Sequence, residues 1–359
     1  MDWTNFCYFP ILKTKDSELR ALSNLPKDIL SKILPVYEIT RSRLSKNNPI
    51  GDIAKRIEQI GKIQGSLPFI LDVTTDPNQQ NIQIESILSP TNGYQCWQDL
   101  INAYPTLNIC PAIHVDLDLD PTLVQTALFV KNISSTAKRL ALRVPTGLED
   151  SDYHSILEAI KNNLNSAKLY ILIDDGCIRA DVKKDGISSI AENYSEAYKA
   201  LLACPDISKH VENFVCIAGS FPQSVKDETG EDEHGHFSIY EHKIYEILSR
   251  QHSALRFGDY AAVNINQIEM RGGTFIPRID FCSDDTFYYY RYRRNSGSYI
   301  ECAKKVIRDI NYHPQGTWGD AEIVSAARGT PAGISPSFWI SVRINNYITR
   351  RTNILHSST

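Results

Sequence analysis

Eight short apolar runs, each ending on polar or charged residues, set the strongest limit on what this chain can fold into. They are "FCYFPILK" (6–13), "KILPVYEI" (32–39), "SLPFILDVT" (66–74), "NICPAIHVD" (108–116), "RLALRVPTG" (139–147), "KLYILIDDG" (168–176), "NFVCIAGSFP" (213–222) and "LRFGDYAAVN" (255–264). Near-continuous apolarity is what a strand buried on both faces of a parallel sheet requires. The run starts lie roughly 26 to 45 residues apart, the length of one βα unit with its crossover. Amphipathic stretches fill the gaps: "DIAKRIEQIGKI" (52–63) places Ile53, Ile57 and Ile60 on one face. "DYHSILEAIKNNL" (152–164) and "FSIYEHKIYEILSR" (237–250) keep the same period, with Ser151 as a candidate N-cap for the first of them. Eight such alternations predict an α/β fold, a TIM-like (β/α)8 barrel. A doubly wound open sheet is the alternative, but "FPILKTKDSE" lacks the glycines of a dinucleotide-binding turn.

After the eighth run the pattern changes. "TFIPRIDFCSDDTFYYYRYRRNSG" (274–297) reads as a β-hairpin around "SDD", and helices are expected at 299–310 and 338–355. The organisation expected is a barrel core over 1–265, with a hairpin and helical extension over 266–359 packed on it in the same domain. The acidic "KDETGEDEHGHF" (226–237) reads as a solvated loop.

The chain carries 38 basic and 42 acidic side chains, a net of −4, so nothing in its overall charge draws it to nucleic acid or anionic lipid. No stretch approaches the length of a membrane span, and "MDWTNFCYFP" lacks a basic signal-peptide start. Eight cysteines without a C-x-x-C pair read as small buried hydrophobes of a cytoplasmic protein.

In a parallel barrel the chemistry collects at the C-terminal ends of the strands. Those ends carry Lys13, Glu38, Asp72, His114, Asp116, Arg143, Asp174 and Asp259, a candidate barrel-mouth site. No cofactor is required by the sequence. Carboxylates such as Asp72, Asp116 and Asp174 are nonetheless the ligands a hard cation like Mg or Mn takes, and Lys13 with Arg143 would then hold a phosphate-bearing substrate. The competing explanation is local, since Asp caps the helix after a βα turn; Asp118 and Asp120, with Pro121 as a first helical residue, fit that role. Nucleophile and phosphate-loop motifs are absent. A second candidate surface interleaves aromatic and basic residues: Tyr290, Arg291, Arg293 and Arg294, with Trp318 and Arg328 downstream. It suits a protein partner, or nucleic acid as the less favoured choice.

"FPILKTKDSELRAL" followed by "ILPVYEI", then "GDYAAVN", "YYRYRR" and "WGDAEIVSAARG…SFWISVRINNYI", resembles the beta protein family. The family takes its name from the beta product of the gop–beta region of a temperate satellite bacteriophage. The resemblance implies a bacterial or prophage setting and a role in an anti-phage, toxin–antitoxin-like locus, with a partner encoded nearby (a toxin or defence effector). It implies no catalytic residue set, and at "RRNSG", where the family pattern has Arg–Gly, no role carries over to Arg294. Three functions therefore stand: a regulatory or immunity protein that binds a partner, a metal-dependent hydrolase or nuclease acting on a phosphate-containing substrate at the mouth, and, more weakly, a binder of a small nucleotide signal at the same mouth without turnover.

Overall fold

The computed structural model describes residues 3, 5–42, 44, 46, 48–229, 233–266 and 275–357. Among these residues eleven strands form in chain order: β1 (Tyr8–Lys13), β2 (Val36–Ile39), β3 (Phe69–Val73), β4 (Ile109–Ile113), β5 (Arg139–Val144), β6 (Lys168–Cys177), β7 (Val211–Gly219), β8 (His234–Ser238), β9 (Leu255–Asp259), β10 (Arg278–Ser283) and β11 (Thr286–Arg291). All eight apolar runs become parallel strands of a closed barrel, ordered β1-β2-β3-β4-β5-β6-β7-β9. The open-sheet alternative is thereby removed. Inside the barrel, Phe9, Ile11, Val36, Ile70, Cys110, Ala141, Tyr170, Leu172, Val215 and Ile217 pack as one cluster. Residues of opposite parity face the surrounding helices. Gly258 is forced by this closure: a Cβ there would lie 2.8 Å from the Phe9 carbonyl oxygen.

The helices follow the apolar periodicity with small shifts. They span Ile53–Gln64, Asp150–Lys161 and Glu241–Gln251 in the three stretches singled out above. Glu149, not Ser151, occupies the N-cap of the second, which places Ser151 inside the first turn. Asp120 does cap the helix Val124–Ile133, accepting from the amides of Gln125 and Thr126, but the helix begins after Pro121, not at it.

The hairpin forms as β10 and β11, joined at Asp284–Asp285. The acidic stretch before β9 departs from expectation. Its residues 230–232 lie outside the described ones, but His234–Ser238 is a strand, β8, antiparallel to β11. The sheet order is β10-β11-β8, so the connection after β7 and the C-terminal extension are tied together. One face of this sheet, with Phe237, Phe287 and Tyr289, packs on Phe221, Ala262 and Tyr347. The other, with Ile279, Phe281, Tyr288 and Tyr290, packs on the helices Ser298–Val306 and Trp318–Ala327. Aromatic side chains thus occupy both faces of the sheet.

The last helix, Pro336–Ser357, lies against the first, Asp16–Ser23, and contributes Ile344, Ile348 and Leu355 to the outer barrel core. It sits where the eighth helix of a (β/α)8 barrel belongs. Its Tyr347 donates to buried Asp259 at 2.5 Å, as does Tyr8 from β1. Beside this knot, Glu241 accepts from the Ser220 hydroxyl and the Tyr240 amide. Burial, reinforced by Asp259, pushes the Glu241 carboxyl up from 4.5 to about 7. A carboxyl raised in the folded state stabilises while protonated, so its contribution is complete below about pH 4.5 and is lost as pH rises towards 7. Glu241→Gln is expected to flatten the fall in Tm between pH 5 and pH 8 and to exceed wild type at pH 8 by roughly 3 kcal/mol. An unchanged pH–Tm slope would contradict this.

Candidate functional site

The register of the barrel brings most of the strand-end residues to one level. Lys13 is paired with Glu38 across β1 and β2, and Glu38 with Asp72 across β2 and β3. Side chains alternate along a strand, so partners in register share a face. Three carboxylates converge on one guanidinium. Arg143 Nε donates to Asp174 Oδ2 at 2.6 Å, and Arg143 Nη1 to Glu38 Oε2 at 2.9 Å and Asp72 Oδ2 at 3.0 Å. Arg143 Nη2 donates to the Tyr260 hydroxyl at 2.7 Å, which itself donates to Asp174 Oδ2 at 2.7 Å.

Tyr260, which sequence reasoning missed, closes this network. It follows β9 and owes its position to two features. The next residues, Ala261 and Ala262, have φ of 48° and 61°, a left-handed pair that L-residues adopt at a cost of about 1–2 kcal/mol each. Asp259 holds that turn by accepting from the Ala261 amide at 2.8 Å. Opposite, Gly219 gives the ring room, since a Cβ there would lie 2.9 Å from Tyr260 Cδ2. The "GDYAAVN" stretch was the available signal, though nothing in it marks the tyrosine over the aspartate.

The remaining candidates separate. Lys13, 6% exposed, donates to the Ile265 carbonyl at 3.0 Å. Asp116 lines the mouth but uses Oδ1 to cap the amides of Asp118 and Leu119. Asp259 points away from the mouth into the Tyr8–Tyr347 knot. His114 lines the mouth with its ring 5.4 Å from Trp97 and 5.8 Å from Tyr94. Its Nε2 is buried without a hydrogen-bond partner among the described residues, and burial lowers its pKa to about 4. The imidazole is therefore neutral at pH 7. Of the aspartate pair in "LIDDG", Asp174 turns to the axis and Asp175 caps Thr146 at 2.9 Å.

Burial works against the Arg143 charge, but Tyr260, Asp174, Glu38 and Asp72 more than offset it and hold the pKa well above the ordinary arginine value. The guanidinium occupies the centre that a cation would take between Glu38, Asp72 and Asp174. Among the described residues no group of three or more His, Cys, Asp or Glu side chains is arranged to hold a metal ion. As placed, Asp72, Asp116 and Asp174 do not fit a Mg or Mn cage. The mouth above the cluster is an open cavity of about 870 Å³. Its acids Asp72, Glu85, Asp116 and Asp174 face a single cation, Arg143.

The aromatic–basic residues do not gather into one patch. Tyr290 donates to Asp309 at 2.8 Å and packs in the extension core, and Trp318 meets Phe338 edge-on. Arg291 is half-buried, whereas Arg293, Arg294 and Arg328 are exposed. Arg294 lies over Phe275, and Arg328 caps the helix Trp318–Ala327 away from the mouth lining.

Fold and site define a (β/α)8 barrel whose mouth is acidic and bridged by one arginine. The chain belongs to the Beta protein family, whose model matches residues 8–353. It is 26% identical over 357 residues to "Protein beta" of Enterobacteria phage P4, covering 98% of this chain and 94% of that one. Among solved structures it is similar to active domain 2 of a thermostable chitinase from Pyrococcus furiosus, with a TM-score of 0.37 and 13% identity over 70% of this chain and 82% of that one. No helix among the described residues is long and apolar enough to cross a membrane.

Proposed function

We propose that this protein is a regulatory or immunity component of a bacterial or prophage anti-phage, toxin–antitoxin-like system, acting in the cytoplasm by binding a partner protein encoded nearby. The barrel mouth receives a basic segment of that partner. What carries the reading is the unbalanced charge of the mouth: four carboxylates line it against one guanidinium. Such a pocket attracts lysine or arginine side chains and repels phosphate. The groups that would do chemistry there are already engaged with each other, which suits recognition better than turnover. Membership of a family with a relative encoded by a phage supports the prophage part of this reading.

Co-purification with the neighbouring gene product tests the proposal. Association is expected to weaken with salt, as charge-steered binding does. Glu85→Lys, an exposed change at the rim, is expected to weaken it by about tenfold. A chain that neither binds nor neutralises its neighbour sinks the idea. The hydrolase or nuclease reading rests on the size of the open mouth and would need Arg143 to yield its carboxylates to Mg or Mn. Stoichiometric Mn²⁺ binding, read by electron paramagnetic resonance, would favour it, and no binding at about 1 mM would remove it.

A further inference from the structure

A second cavity, of about 410 Å³, lies at the seam between the three-stranded sheet, the first turns of the last helix and the segment after β7. Its polarity is opposite to that of the mouth. Lys226, Arg278, Arg291 and Arg343 line it against one carboxylate, Asp280. That carboxylate is shared, accepting from Arg343 Nη1 at 2.5 Å and from Arg278 Nε at 3.2 Å.

Arg343 is 4% exposed, and its Nε finds no hydrogen-bond partner among the described residues. A buried charged donor left open is costly until an acceptor arrives. Burial lowers the pKa of Arg343, with Asp280 opposing the fall and Arg278 adding to it, and its guanidinium lies 4.2 Å from the Phe221 ring centroid. The wall also carries a stacked aromatic pair, Tyr299 and Trp339, with ring centroids 5.1 Å apart. Trp339 is fixed by its Nε1–H bond to the Gly333 carbonyl at 3.0 Å. The first turn of the helix Pro336–Ser357 reaches the same cavity through Pro336 and Trp339.

Guanidinium forks match phosphate oxygens, and aromatic rings receive nucleobases. The volume is within the range of small-ligand pockets. We propose that this cavity is a binding site for a mononucleotide, with the phosphate held by Arg278, Arg343 and Lys226 and the base against the Tyr299–Trp339 pair. Single-stranded nucleic acid would not need so confined a space.

Calorimetric titration of the full chain with AMP, ADP and pyrophosphate tests this, without reference to the partner protein. Its failure leaves the reading of the mouth standing, and failure of that reading leaves this one. AMP and ADP are expected to bind with Kd of roughly 10–100 µM, and Lys226→Glu or Arg278→Glu to weaken both at least tenfold. Lys62→Glu, the same charge change on the exposed face of a distant helix, is expected to leave affinity unchanged. Trp339→Leu, checked for folding by its circular dichroism, is expected to weaken AMP more than pyrophosphate. Three results would overturn the proposal: no binding at about 1 mM, equal loss in Lys62→Glu, or binding confined to oligonucleotides.

Discussion

Arg143→Met is expected to lower stability by about 3 kcal/mol at pH 7, a fall of roughly 5 °C or more in Tm. The carboxylates of Glu38, Asp72 and Asp174 are 7%, 7% and 1% exposed. Removing their shared counter-charge leaves three like charges close together in a low-dielectric mouth. Arg143 is itself 27% exposed, and solvent at that side keeps the loss below the largest values seen for buried pairs. Arg143→Lys restores charge but not the fork that bonds Asp174, Glu38, Asp72 and Tyr260 together, so only partial recovery is expected. Adding Asp174→Asn to Arg143→Met removes one charge and should recover part of the loss. Additive losses in that double variant, measured by thermal unfolding, would show that repulsion is not the cause.

The barrel was legible because a parallel strand buried on both faces leaves a periodic record of apolar residues, and all eight records became strands in order. Strand ends were legible for the same reason, which brought Glu38, Asp72, Arg143 and Asp174 onto the list. Orientation was not legible. Asp174 and Asp259 both end apolar runs, yet Asp174 meets Arg143 at the axis and Asp259 meets Tyr8 and Tyr347 outside it. A one-residue difference in register decides this, and only the closed sheet sets it.

Three other features depended on distant partners. "HGHFS" has a single apolar residue, Phe237, and none that is β-branched, and becomes β8 because β11, far along the chain, supplies a ladder for it. The helix Pro336–Ser357 read correctly as a helix, but its place in the barrel wall was hidden by the hairpin and helices that separate it from β9. Tyr260 was passed over because tyrosine has no strand-end signature; its role follows from the left-handed turn at Ala261–Ala262 and the space above Gly219.

The seam that joins the last helix to the barrel is the second place where one substitution should act strongly. Asp259 is fully buried and accepts from Tyr8, Tyr347 and the Ala261 amide. Burial raises its carboxyl above the usual range, with the two tyrosines and Arg351 opposing. Asp259→Ala removes one acceptor from three donors and strands two buried hydroxyls, each costing about 1–3 kcal/mol when left unpaired. It also releases the turn that seats Tyr260 over Arg143. A loss of about 3 kcal/mol is expected, with a pattern that distinguishes it from a general core defect. Amides of the helix Pro336–Ser357 and of β10 and β11 should exchange hydrogen sooner, together, while those of β2 to β5 keep their protection. Tyr347→Phe, which leaves Asp259 its bonds from Tyr8 and Ala261, should give the same exchange pattern at about 1 kcal/mol. Uniform loss of protection around the whole barrel would mean that the last helix is not held as a separable latch, and that Asp259 stabilises the barrel only as one more buried contact.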